Sequence, residues 1–232
     1  MLLDAEYCII RAQAAVHVPE GVDAAKYAPM LCAGSTVFGA IKSGNLKPGD
    51  TVAVQGLGGL GHMAVQFARK MGYRVVAISR GSDKEKSVRE LGAHEYIDST
   101  AVDPGEALKE LGYANLVVTT AMETAAMTPL IKGIGIYGKM LILSFPQDGK
   151  ITVDSNEMMM RGVAVQTWPV GSYYDGEKTI EFANMQGLDC AVETFPLEKA
   201  QDAFGMFFFS SLCLFMPFTI FLPLKANKAT LI

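Results

Sequence analysis

The six residues between Gln55 and His62 read Gly56-Leu57-Gly58-Gly59-Leu60-Gly61, a G-x-G-x-x-G spacing. Each glycine has a physical reason. The first permits a tight turn out of a strand, the second lets a pyrophosphate come against bare backbone, and the third lets the following helix pack close to the strand. The helix N-terminus then offers N–H groups and the positive end of its dipole to phosphate oxygens. The motif alone is weak and depends on its context. Here Thr51-Val52-Ala53-Val54-Gln55 reads as a buried strand before it, and Leu60 to Met71 as a helix after it. The plain alternative is a glycine-rich strand–helix turn with no ligand. About 20 residues further on, an Asp or Glu would bind the ribose 2′-hydroxyl of NAD, whereas an Arg accommodates the 2′-phosphate of NADP. The sequence there is Ile78-Ser79-Arg80. Ser79 places no carboxylate against a phosphate, Arg80 supplies a planar cationic donor, and Lys84 is near enough to help. These residues favour NADP, with NAD as the alternative; as surface charges they would be solvated and bind nothing.

The elements that must position this loop follow from the alternation of apolar runs and helical stretches. Strands are predicted at Thr51–Gln55, Arg74–Ser79, Glu95–Ile97, Leu116–Thr119 and Met140–Leu143, with a sixth at Val163–Thr167. Helices are predicted near Asp23–Ile41 (broken near Gly34), Leu60–Met71, Asp83–Leu91, Gly105–Leu111, Glu123–Lys132 and Gly176–Met185. Ser82 and Glu85 have the S-x-x-E spacing of a capping box. The residues up to about Pro19 look like strand and loop. Strands alternating with helices of this length imply βαβ units and a doubly wound parallel α/β sheet of the Rossmann type, helices on both faces.

Bulk properties narrow the function classes. Half of the 232 residues are hydrophobic and 19% are charged, enough for a buried core and unlike a disordered chain. A net charge of −4 offers no electrostatic footprint for nucleic acid. The start, Met1-Leu2-Leu3-Asp4-Ala5-Glu6, is interrupted at once by an acid and does not read as a signal peptide. Cys8, Cys32, Cys190 and Cys213 form no CxxC pair, so a reducing cytoplasm is the expected compartment.

Taken with the glycine loop, the runs Pro29-Met30-Leu31-Cys32-Ala33-Gly34-Ser35-Thr36-Val37 and Leu46-Lys47-Pro48-Gly49-Asp50 resemble the zinc-dependent alcohol dehydrogenases of the medium-chain dehydrogenase/reductase superfamily. Leu91-Gly92-Ala93 and Glu193-Thr194-Phe195-Pro196-Leu197 fit as well, and the resemblance covers about Glu6 to Phe204. It implies hydride transfer between an alcohol and an aldehyde or ketone, a nicotinamide cofactor, a small alcohol or carbonyl substrate and a homo-oligomer formed through the sheet edge near Val163–Thr167. It also implies a catalytic zinc held by two cysteines and a histidine, with an open fourth position. Cys32 matches the family's last zinc ligand, and Thr36 matches a threonine near the nicotinamide. The other two ligands belong to a first domain whose Gly-His-Glu motif is not in this sequence. His62 is expected in packing or solvent, His94 as a helix-end cation, and His17 in a loop beside Pro19. Cys8, Cys190 and Cys213 read as small buried hydrophobes.

The expected organisation is therefore a catalytic-domain remnant at 1–28, the dinucleotide-binding domain at 29–187, a return segment at 188–205 and an atypical hydrophobic tail at 206–232. Met206 to Leu224 contains no charge. It reads as a retained intron rather than a membrane anchor, since Pro217 and Pro223 suit a spanning helix poorly. An amphipathic helix is expected over Pro196–Phe204. Met158-Met159-Met160 and Trp168 are candidates for apolar pocket lining, though such methionines usually serve a core. The leading expectation is an incomplete alcohol dehydrogenase, weakly active or inactive, with zinc not retained. The alternatives are a zinc-free reductase of the quinone-oxidoreductase kind, which Cys32 argues against, and a non-catalytic dinucleotide-binding fragment.

Overall fold

The computed structural model describes residues 15–196, isolated positions at Ile9, Arg11, Ala12 and Lys199, and the backbone of Phe218–Leu222. Six parallel strands form one sheet: β1 (Thr51–Gln55), β2 (Arg74–Ser79), β3 (Glu95–Asp98), β4 (Ala114–Thr119), β5 (Ile134–Ile142) and β6 (Ala164–Thr167). Their spatial order is β3-β2-β1-β4-β5-β6. The order reverses between β1 and β4, and in open sheets of this kind ligands enter at that switch point, beyond the carboxyl ends of the strands.

Strand β1 is buried along its whole length, as a central strand of a parallel sheet covered on both faces must be. Its side chains alternate between two cores. Val52 and Val54 join Val37, Ile41 and Phe67 on one face, while Ala53 joins Leu108, Met127 and Leu130 on the other. The first face is covered by α2 (Ala33–Ser43), α3 (Gly59–Lys70) and α8 (Tyr173–Gln186). Phe38, Phe67 and Phe182, one from each helix, meet there with ring centroids 5.4 to 5.9 Å apart. The second face is covered by α5 (Pro104–Glu110), the short α6 (Thr124–Met127) and the 3-10 turn Thr128–Gly133 that continues it.

Several expectations are corrected. The helix expected over Asp23–Ile41 breaks at Cys32, close to Gly34 as expected, but its first part is only α1 (Ala24–Tyr27) and a 3-10 turn at Ala28–Leu31 before α2. Glu123–Lys132 is not one helix: Pro129 has no N–H to donate, and the chain tightens into the 3-10 turn. The Ser82–Glu85 capping box does not form. Helix α4 (Glu85–Glu90) is capped by Lys84 without a side-chain bond, the Glu85 N–H donates to the Ser82 carbonyl, and the Glu85 carboxylate pairs with Arg89 at 2.9 Å. Strand β5 starts six residues earlier than Met140, because Gly135, Gly138 and the left-handed Tyr137 hide its period. Helix α7 (Ser155–Arg161) has no sequence-predicted counterpart. It exposes Met159 and Met160 at 84% and 85%, so these two do not serve the core; Met158 packs on the second core. From Ala15 to Pro19 the chain is loop, and most of the stretch before it, where strand and loop were expected, lies outside the described residues.

Strand β7 (Val192–Pro196) pairs in parallel with β8 (Phe218–Leu222) in a second, two-stranded sheet. Beyond Pro196, the helix expected to Phe204 lies outside the described residues apart from Lys199, and so does the 206–232 tail apart from β8. No helix among the described residues is long and apolar enough to cross a membrane.

Candidate dinucleotide site

At the carboxyl ends of β1, β2, β3 and β4 lies a cleft of about 550 Å³ lined by Gly56, Leu57, Gly58, Gly59 and Leu60 together with Ser79, Arg80 and Lys84. The glycine loop and the residues expected to choose the cofactor thus share one wall. A volume of this size is ordinary for a small-molecule site. A second hollow of about 590 Å³ near Asp103, Lys132 and Asp154 is no smaller. It has no glycine loop and sits away from the switch point, and Lys132 there is already paired with Asp103 and Glu106 at 2.9 and 3.1 Å.

The three glycines separate by what a side chain would meet. Gly56 has φ +86, and a Cβ there would run into Thr120. Its carbonyl accepts from the Thr120 hydroxyl at 2.9 Å, which latches the loop to the end of β4. Gly61 is excluded from carrying a side chain by the Gly56 carbonyl, the close helix–strand approach the motif requires. Gly61 does not line the cleft; its role is packing. Gly58 differs: a Cβ there meets nothing within 4 Å. The space over Gly58 belongs to the cleft, which is the cradle a pyrophosphate needs. Helix α3 starts immediately after it, so its first N–H groups, unpaired by helix geometry, face the same space.

The loop is supported from behind by His62, which is buried. Its Nε2 accepts from the Ala191 N–H at 3.2 Å, which puts the ring proton on Nδ1, donating to the Gly58 carbonyl at 3.3 Å. Burial lowers its pKa below the ordinary histidine value, partly opposed by hydrogen bonds to the backbone at Gly58 and Gly59. One neutral imidazole thus ties the loop to the segment before β7. That segment is also held by Lys26, whose ammonium lies 2.6 Å from the Asp189 carboxylate, and by Gln66, which donates to the Asp189 carbonyl at 3.1 Å.

Arg80 is exposed, and its guanidinium makes no ion pair or hydrogen bond among the described residues. Lys84 is half-buried at the start of α4. Gln55, Asp83, Ser99 and Thr120–Glu123 also line the cleft and were not foreseen. Counting the carboxyl ends of β3 and β4 would have found Ser99 and Thr120. Gln55 is fixed by two bonds, accepting from the Thr119 hydroxyl and donating to the Ala126 carbonyl, both at 2.6 Å.

Cys32 and Thr36 are not part of this cleft's wall. Cys32 is exposed at the N-cap of α2. Thr36 is buried, and its hydroxyl donates to the Cys32 carbonyl at 2.8 Å. Among the described residues no group of three or more His, Cys, Asp or Glu side chains is placed to hold a metal. Cys190 is buried as expected, its thiol 3.8 Å from the Met63 sulfur and pushed up to about 12, first by burial and then by Asp189. Cys8 and Cys213 lie outside the described residues. His17 is in a loop as expected. His94 is not the expected helix-end cation: its Nδ1 accepts from the Val75 N–H at 2.9 Å, and burial first, then Arg69 and Arg74, lower its pKa.

A glycine loop at the switch point of a six-stranded parallel sheet, with helices on both faces, defines an α/β domain of the Rossmann class. Residues 59–185 match the family model described as zinc-binding dehydrogenase. Over 200 residues the chain is 56% identical to the alcohol dehydrogenase notN of Aspergillus sp. (strain MF297-2), covering 86% of this chain and 58% of that protein. It is 54% identical over 201 residues to the alcohol dehydrogenase patD of Penicillium expansum, covering 87% and 58%. Among solved structures, a cinnamyl alcohol dehydrogenase from Sorghum bicolor superposes with a TM-score of 0.72 at 28% identity, over 83% of this chain and 54% of that one. The chain belongs to the zinc-binding dehydrogenase family. It spans about 58% of the length of the curated relatives it matches.

Proposed function

We propose that this chain is the cofactor-binding portion of an alcohol dehydrogenase, an oxidoreductase that moves hydride between a small alcohol and its aldehyde or ketone, and that its cleft takes NADP. The observation that carries the reading is the open cradle over Gly58 in one cleft with the unpaired guanidinium of Arg80. In this reading the first N–H groups of α3 bind the pyrophosphate, Gly58 lets it approach, and Ser79, Arg80 and Lys84 surround the adenosine ribose. The nicotinamide supplies the hydride chemistry when bound. NAD is the rival cofactor, and Asp83 favours it, since a carboxylate in the same wall opposes a 2′-phosphate.

Fluorescence titration decides between them. Arg80→Ala should weaken NADPH by roughly 1.5–3 kcal/mol, the worth of a charge-assisted hydrogen bond, and leave NADH nearly unchanged. Equal weakening of both would make Arg80 a surface charge and NAD the better reading.

Thr36 and Cys32 take their proposed roles, beside the nicotinamide and as a zinc thiolate, from the family resemblance. The described residues supply no partner ligands for Cys32, so by themselves they do not fit a catalytic zinc. The second reading is a dinucleotide binder without dehydrogenase activity. The division at residues 28, 187 and 205, a cytoplasmic location, and assembly of like chains along β6 complete the proposal. Among the described residues β6 pairs with β5 alone and so presents an open edge.

A further inference from the structure

Arg80 is the side chain in the cleft that would bear most directly on the choice of NADP, and it is held by nothing among the described residues. Its backbone is held on both sides. Before it, the Ser79 carbonyl accepts from the Ser99 N–H at 2.9 Å and from the Ser99 hydroxyl at 3.2 Å. After it, the Gly81 N–H donates to the Asp98 carboxylate at 2.8 Å, and the Gly81 carbonyl accepts from the Tyr96 hydroxyl at 2.5 Å. Gly81 has φ +70, a left-handed turn that favours glycine. Asp98 is itself fixed by the Thr100 N–H and hydroxyl at 2.8 and 2.7 Å; these Thr100 bonds come first among the causes that hold its carboxyl below the usual range. The holding groups all come from the end of β3 and the turn after it, in register with the end of β2 through the Ser79–Asp98 pair.

We infer that Tyr96, Asp98 and Ser99 are positioning residues for cofactor choice: they clamp the peptide units flanking Arg80 so that its guanidinium is presented to the 2′-phosphate of NADP. The inference rests on the NADP reading above. The physical argument is preorganisation. An arginine on a free loop loses backbone as well as side-chain freedom when it grips a phosphate, whereas a clamped one loses side-chain freedom alone. The guanidinium that the clamp presents would meet the 2′-phosphate, which NAD lacks, so the larger effect should fall on NADP. Asp98 sets a limit on this design, because its negative charge lies against the Gly81 N–H, next to Arg80 in the chain. Its bonds from Gly81 and Thr100 engage Oδ1, so an amide oxygen could keep them.

The test is a set of NADPH and NADH titrations on the full chain carrying Tyr96→Phe, Asp98→Ala, Asp98→Asn and Arg80→Ala, and each clamp change combined with Arg80→Ala. Tyr96→Phe and Asp98→Ala should each weaken NADPH roughly three- to tenfold, about one net hydrogen bond, and move NADH less than about twofold on the same scale. Asp98→Asn should bind NADPH at least as well as the unaltered chain. In the Arg80→Ala background the clamp changes should no longer alter the ratio of the two affinities, a signature that a merely structural role would not produce. If Arg80→Ala shifts the ratio and the clamp changes do not, or weaken both cofactors alike, this inference is overturned and the NADP reading stands. If Arg80→Ala itself leaves the ratio unchanged, the NADP reading fails and this inference falls with it.

Discussion

His62 shows how one side chain can support a site without touching the ligand. Its two ring nitrogens face a carbonyl at Gly58 and an N–H at Ala191, so only the neutral ring with its proton on Nδ1 satisfies both. Protonation would set an Nε2–H against the Ala191 N–H. Its folded pKa is depressed, so below the ordinary histidine pKa of about 6.5 the unfolded chain binds the proton first and stability falls with pH until the folded value is passed. The expected outcome is a melting temperature that drops as pH is lowered from 7 through this window. His62→Ala should cost roughly 1–3 kcal/mol for the unpaired groups it leaves and flatten the slope; a slope unchanged by this substitution would refute the assignment. The bonding of His62 is not legible in the sequence, because its two partners lie 4 and 129 residues away. That Gly56 to Leu60 share a cleft with Ser79, Arg80 and Lys84 is legible, because the two groups follow β1 and β2, adjacent parallel strands of one βαβ unit. Ser99, just past the end of β3, and Asp83, beside Lys84, carry no motif of their own, and their place in the cleft follows from position alone.

At the scale of elements, apolar runs located β1 and β2 to the residue, since both are buried, uninterrupted stretches. Local capping rules were less dependable. Ser82 and Glu85 have the right spacing, yet Glu85 is engaged by Arg89. Ser172 and Asp175 do form a capping box on α8, the Ser172 hydroxyl accepting from the Asp175 N–H at 3.3 Å and the Asp175 carboxylate accepting from the Ser172 N–H at 2.8 Å. Ser172→Ala should therefore destabilise the fold by about 0.5–2 kcal/mol, the usual worth of an N-cap, whereas Ser82→Ala should change the denaturation midpoint little. A larger effect from Ser82 would reverse that ranking. Helix α7 escaped notice because it buries no residue fully, so it leaves no apolar stripe to read.

Taken whole, the molecule presents a six-stranded sheet, a cleft at its switch point and, among the described residues, no group of metal ligands around Cys32. A catalytic zinc needs three protein ligands, so elemental analysis of the purified full chain should find well under one equivalent. A full equivalent that disappears in Cys32→Ser would contradict the ligand count. Dinucleotide binding is the more central claim, and Gly58 tests it most directly, because an added Cβ there meets open cleft and no protein atom within 4 Å. Gly58→Asp should leave the melting temperature unchanged and abolish NADPH binding, since the carboxylate would occupy the place of the pyrophosphate. Fluorescence titration of the two chains with NADPH is the deciding measurement. Saturable binding by the unaltered chain and none by Gly58→Asp is the predicted result; equal affinity in both would contradict the account.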